Sequence, residues 1–169
     1  MFTLKELGAS LASTPITLRG KPAKVRKLSI AEQDAITRAI PLPVAPVGPD
    51  RTRGSDAPFA PDYEDPVYRR ELSTRRTKVG VVEACAALDL AFDGPNGLIE
   101  VPRASTNHAA WVAYCDAAWT VVAVEGGLFD HEINAVHKAL EQLTGASIAE
   151  AARGNSQQAP ADTPTPGSA

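Results

Sequence analysis

Only two cysteines, Cys85 and Cys115, occur in 169 residues, and both lie in apolar runs. A secreted disulfide scaffold needs more of them and a leader, and the opening MFTLKELGAS has neither a basic start nor an unbroken apolar stretch. The expectation is a cytoplasmic protein with two reduced, buried thiols. Long apolar runs are missing too. The best candidate, 112–124, contains Asp116 and stops at Glu125 and Gly126, short of the ~20 residues a membrane helix requires. Excess positive charge is also absent: a net charge of -3 gives no global reason to expect nucleic acid or an anionic membrane as partner. DGPNG at 93–97 lacks the lysine and hydroxyl of a phosphate-binding loop.

What the chain does have is one long helical stretch, 65–92. Asp65 suits an N-cap and Pro66 the first helical position, and the stretch would span about 40 Å at 1.5 Å per residue. Tyr68, Leu72, Val79, Val82, Ala86 and Leu90 draw its apolar stripe. The first half reads as surface. From Val79 onward almost every residue is apolar, which reads as core. Gly80 inside it costs about 1 kcal/mol relative to alanine, so a kink or a close helix contact is expected there.

Around this stretch the chain reads as a single mainly α domain with a modest core. Residues 1–40 should hold a short amphipathic helix (1–11), a small β-hairpin (15–28) turning at Gly20 and Lys21, and a helix opened by the capping box Ser29–Glu32. Residues 41–64 carry prolines 41, 43, 46, 49, 58 and 61 and should form a loop or linker without a packed element. Residues 65–153 form the helical core: the long helix, a stop at 93–97, a central apolar helix capped by Ser105, and an amphipathic helix capped by Asp130. The last carries Phe129, Ile133, Val136, Leu140 and Leu143 as a core stripe and closes at Thr144 and Gly145, with a helical turn at 148–152. Residues 154–169 are expected to be a disordered tail.

Candidates for chemistry are few. His131 and His137 lie six residues apart, on opposite sides of a helix, where they cannot share a metal ion; both are expected to be solvated. His108 has no identifiable partner. Cys85 and Cys115 sit where burial raises a thiol pKa, against a nucleophilic role. No catalytic residue, cofactor site or metal site is expected. Arg69, Arg70, Arg75, Arg76 and Lys78, with Arg51 and Arg53 nearby, form the main basic cluster. Glu71 is placed to pair with Arg75, and no groove-reading motif accompanies the cluster, so a solvated face or a contact for an acidic partner is expected rather than a nucleic-acid site. Phe59 and Tyr63 in the Pro-rich segment, together with Tyr68 and Leu72, are the candidate partner anchors.

The run ITLRGKPAKVRKLSIAEQDAI, the Pro-rich interruption, DPVYRREL opening a long helix and LFDHEINAVHKALEQLTG together resemble the tail assembly chaperones of long-tailed bacteriophages, of the lambda tail chaperone type. The resemblance is one of architecture and covers roughly 14–145. It implies a small acidic helical protein of the host cytoplasm that binds the tape-measure protein, keeps it soluble, helps recruit tail-tube subunits and leaves before the virion is complete. It implies no catalytic residues, and it leaves self-association open. Many such proteins are made in two lengths by ribosomal frameshifting. The competing readings are a virion structural component, such as a connector or minor tail protein, and a nucleic-acid-binding regulator using the basic cluster.

Overall fold

A computed structural model describes residues 13–49, 59–103 and 107–156. The expected helix at 1–11, Ser105, and the tail after 156 lie outside them. Strand β1 (Ser13–Leu18) pairs antiparallel with β2 (Lys21–Arg26). The turn is Arg19–Gly20 rather than Gly20–Lys21. Their φ values of 50° and 75° give two left-handed residues in succession, which suits the right-handed twist of a hairpin.

Helix α1 (Ile30–Ala39) begins at the expected capping box. The Ser29 hydroxyl accepts from the Glu32 amide at 3.2 Å, and the Glu32 carboxylate accepts from the Ser29 amide at 2.8 Å. That carboxylate also takes both Arg26 guanidinium nitrogens, at 2.7 and 3.1 Å. One buried glutamate therefore caps the helix and ties it to the hairpin.

The Pro-rich segment is not wholly irregular, contrary to expectation. Val47–Pro49 (β3) and Phe59–Pro61 (β4) pair as a two-stranded ribbon, extended by the Asp62 amide donating to Pro46 O at 2.7 Å. Proline cannot donate to a ladder, but Gly48 and Ala60 sit opposite one another in the middle of this one.

Helix α2 (Pro66–Ala87) opens as expected, with Asp65 Oδ1 accepting from the Val67 and Tyr68 amides at 2.9 Å each. It ends five residues before Phe92. Asp89 takes the left-handed conformation (φ 59°), its amide donates to Ala86 O, and the Leu90 amide reaches Cys85 O at 3.0 Å. These are the two bonds of a Schellman stop, with aspartate in the place glycine usually holds. Phe92 then starts a third small hairpin, β5 (Phe92–Gly94) with β6 (Gly97–Ile99). A Cβ on Gly94 would lie 2.6 Å from Ile99 Cδ1, so a larger residue there requires the Ile99 side chain to move.

Helix α3 (His108–Trp119) is capped by Asn107, whose side chain accepts from the Ala109 amide at 3.0 Å, and not by Ser105. It widens into a π-helical stretch, Thr120–Val124, before Gly126 ends it. Helix α4 (Asp130–Ser156) has Asp130 as its first residue rather than its cap; Glu132 reaches back to accept from the Phe129 amide at 2.9 Å. The helix does not stop at Gly145. Alanines 146, 149, 151 and 152 follow that glycine, and their high propensity outweighs its cost.

α3 lies at the centre. Its Trp111, Tyr114, Cys115 and Ala118 are buried against Val25, Ile36, Val82, Cys85 and Phe92, while Val136, Ala139 and Leu143 close the core from α4. Tyr114 keeps its hydroxyl satisfied there by donating to Leu90 O at 3.1 Å. Four helices and three two-stranded sheets among the described residues make a small mixed fold. That replaces the expected mainly helical domain with one hairpin.

Candidate functional site

Along α2 the burial changes as the sequence suggests. Tyr68, Leu72, Arg75 and Val79 form a half-buried stripe, and from Val81 to Ala87 the side chains are almost all buried. An arginine thus occupies a place in the apolar stripe. Arg75 Nε donates to Ile40 O at 2.9 Å, so its cation meets the carbonyl end of α1, where the helix dipole favours it. It does not make the expected pair with Glu71.

The segments ahead of this half-helix carry most of the exposed large hydrophobic side chains among the described residues. Ten large hydrophobic side chains are exposed among the described residues, and six of them fall between 42 and 67: Leu42, Val44, Val47, Phe59, Tyr63 and Val67. Phe59 is 76% exposed on the ribbon and Tyr63 62% exposed just after it. Tyr63 stands edge-on to Tyr68, with ring centroids 5.9 Å apart, which fixes the ribbon's exit to the start of α2. Of the candidate anchors, Tyr63 and Tyr68 are in contact, Tyr68 and Leu72 are both half-buried on α2, and Phe59 and Tyr63 are exposed.

The basic cluster is divided among several roles. Arg75 docks α1, Lys78 pairs with Asp116 of α3 at 2.7 Å, and Arg69 pairs with Glu64. Arg70 and Arg76 are exposed and have no carboxylate partner among the described residues. Arg51 and Arg53 lie outside those residues.

Two polar arrangements elsewhere join residues far apart in the sequence. Arg19, at the hairpin turn, donates through Nε and Nη2 to both oxygens of the buried Glu132, each at 3.0 Å, and through Nη2 to Gly127 O at 2.9 Å. Its guanidinium lies 4.9 Å from the Phe129 ring, which also stacks on His131. Phe129, expected in the core stripe, is instead half-exposed in this stack. The Arg19 bonds, with the Phe129 amide, hold the Glu132 carboxyl below the ordinary carboxylate range. Burial would raise the Glu32 carboxyl, but bonds from Arg26 and from the Ser29 amide and hydroxyl outweigh it and lower the pKa.

The second arrangement corrects the reading of His137 as solvated. Its Nε2–H donates to Gly80 O at 2.9 Å, across the α2–α4 contact. This is the close contact expected at Gly80: a Cβ there would stand 3.1 Å from His137 Cε1. His137 divides two open grooves of ≈ 420 and ≈ 430 Å³. The first is lined by Lys27, Gln33, Glu83 and Glu141 among others. Burial raises the Glu83 pKa there, opposed by the charge of His137.

Neither thiol is poised for chemistry. Burial pushes Cys85 and Cys115 each up to about 12. Among the described residues no group of three or more His, Cys, Asp or Glu side chains is placed to hold a metal ion, and no helix is long and apolar enough to cross a membrane. No protein-family model, curated protein or solved structure matches the chain. The exposed apolar side chains of 42–47 and 59–67, with Arg70 and Arg76, are the features that a function can be argued from.

Proposed function

We propose that the chain is a non-catalytic tail assembly chaperone of a long-tailed bacteriophage. On this reading it binds apolar helical faces of the tape-measure protein in the host cytoplasm, keeps that protein soluble while tail-tube subunits are recruited, and is absent from the finished virion. The observation that carries the reading is that Leu42, Val44, Val47, Phe59, Tyr63 and Val67, six of the ten large exposed hydrophobic side chains among the described residues, fall in the segments that lead into or open α2. Apolar patches of this kind mark interaction sites in soluble proteins, and a chaperone for long apolar helices needs such a surface held on a rigid support. The nucleic-acid alternative loses support, because only Arg70 and Arg76 of the described basic cluster remain free to meet phosphates.

The test is capture of a tape-measure fragment by the full chain, compared with a Phe59→Ser, Tyr63→Ser variant. Both side chains are exposed, so the variant should hold its stability within about 0.5 kcal/mol while losing capture at least tenfold. Undiminished capture by the variant would sink the proposal. Finding the chain at stoichiometric levels in purified virions by mass spectrometry would replace it with a structural role in the particle.

A further inference from the structure

Four asparagines occur in the chain, and only Asn96 is followed by glycine. It stands in the turn of the third hairpin, where Gly94 faces Gly97 at the end of a ladder of three pairs. Pro95, Asn96, Gly97 and Leu98 are all exposed, and the Asn96 carboxamide makes no hydrogen bond among the described residues. Gly97 has a φ of 114°, which suits glycine alone, and nothing lies within 4 Å of the place its Cβ would take. The neighbouring pair Asp93–Gly94 is closed by comparison, because the Ile99 side chain comes within 2.6 Å of the Cβ position on Gly94. Of the two glycines in this turn, only Gly97 leaves room for the preceding side chain to fold back onto its amide.

We infer that Asn96 is a self-modification site, converting in the folded protein to a mixture of aspartate and isoaspartate with water as the co-reactant. The Gly97 main-chain nitrogen bonds to Asn96 Cγ, the bond from Cγ to the side-chain nitrogen breaks, and that nitrogen leaves as ammonia with the proton that Gly97 N gives up. Water then opens the cyclic imide. Breaking the bond between Gly97 N and Cγ leaves aspartate; breaking the bond between Gly97 N and the main-chain carbonyl carbon of Asn96 leaves isoaspartate. No atom changes oxidation state. Only the end pair of a short ladder has to open for the first step, a local fluctuation of low cost at an exposed tip. Either product adds a negative charge to a segment that already holds Asp93 and Glu100. Isoaspartate also puts an extra carbon into the main chain of a turn whose length sets the hairpin register. Phe92, at the base of the same hairpin, is 6% exposed with its ring 5.5 Å from that of Tyr114, so a disturbed register reaches the core.

The full chain is held at mildly alkaline pH, and the tryptic fragment 79–103 is followed by mass spectrometry for replacement of the amide by an acid. Isoaspartate is told from aspartate by its resistance to an aspartate-directed protease. Asn96 should convert about tenfold or more faster than Asn134, whose following amide is bonded within α4 and is released only when that helix opens. Asn96→Gln, with a longer side chain that closes the ring poorly, should leave the fragment unchanged. A synthetic peptide of residues 92–99 gives the rate without the fold. Conversion more than about tenfold slower in the folded chain than in that peptide would show that the turn protects Asn96, and would overturn the inference. Purified isoaspartate chains should unfold at a lower urea concentration than unreacted ones, whereas Asn96→Asp, which supplies the charge on a normal main chain, should match the wild type. Equal midpoints for all three would overturn the link from turn to core, and an equal drop in Asn96→Asp would overturn the role given to the extra carbon.

Discussion

Gly80→Ala should destabilise the protein, although alanine is the better helix former. The substitution gains about 1 kcal/mol of helix propensity. Against that, the new Cβ would stand 3.1 Å from His137 Cε1, closer than ordinary van der Waals contact, and 3.7 Å from Nε2. His137 cannot retreat freely, because its Nε2–H bond to Gly80 O is 2.9 Å long and a bond of this kind is worth about 1 kcal/mol net. Overpacking a tight contact costs about 1–3 kcal/mol. Taken with the loss or strain of that bond, the net change should be about 1 kcal/mol destabilising. In a His137→Ala background the obstruction is gone, and Gly80→Ala should stabilise by about 1 kcal/mol. The coupling between the two sites is then about 2 kcal/mol, within the range seen for side chains in direct contact. Urea unfolding followed by tryptophan fluorescence measures it, since Trp111 is only 1% exposed and should report loss of the core. If Gly80→Ala stabilises the wild type as much as it stabilises His137→Ala, the glycine is not there for the histidine.

Two further outcomes follow from the polar anchors. Arg75→Leu keeps the apolar stem of the stripe but abandons Ile40 O; it should cost about 1–2 kcal/mol and speed proteolytic cleavage between α1 and α2, read by limited trypsin digestion and mass spectrometry. The Glu32 and Glu132 carboxyls are both held below their ordinary value of 4.5, so they favour the fold above that pH and lose their contribution as the pH falls through the lowered values. Glu32→Gln should therefore cost about 2 kcal/mol at neutral pH and progressively less as the pH falls below 4.5, flattening the acid limb of a stability curve taken by urea titration at stepped pH.

Much of the frame was legible because its signals are local. The capping box at Ser29–Glu32, the Asp65–Pro66 entry to α2, the hairpin at the start and the burial of Val136 and Leu143 on α4 all depend on residues within a turn or two of each other. What could not be read depends on partners far away in sequence. Arg75 looked like one more surface cation until Ile40 O was placed beside it, 35 residues distant. His137 looked solvated for the same reason, with Gly80 57 residues away. The end of α2 is not legible because apolar residues continue to Phe92, and the stop is an aspartate in a conformation that glycine usually signals. The short ribbon was hidden by its prolines, which tolerate pairing when the residues between them supply the bonds. Of the candidate anchors, Tyr63 and Tyr68 stand ring to ring, but the division of the arginines between docking and free roles is not legible without coordinates.

The Arg19–Glu132 pair has a consequence for the chain as it is made. Its two members are 113 residues apart, and at a synthesis rate of about 5–20 residues per second the ribosome takes on the order of ten seconds to travel between them. Throughout that interval the hairpin exists without its seat, and Val25 and Leu28, buried in the finished fold, have nothing from α4 to lie against. Strands β1 and β2 are thus among the last parts to be secured, when the start of α4 emerges to seat them.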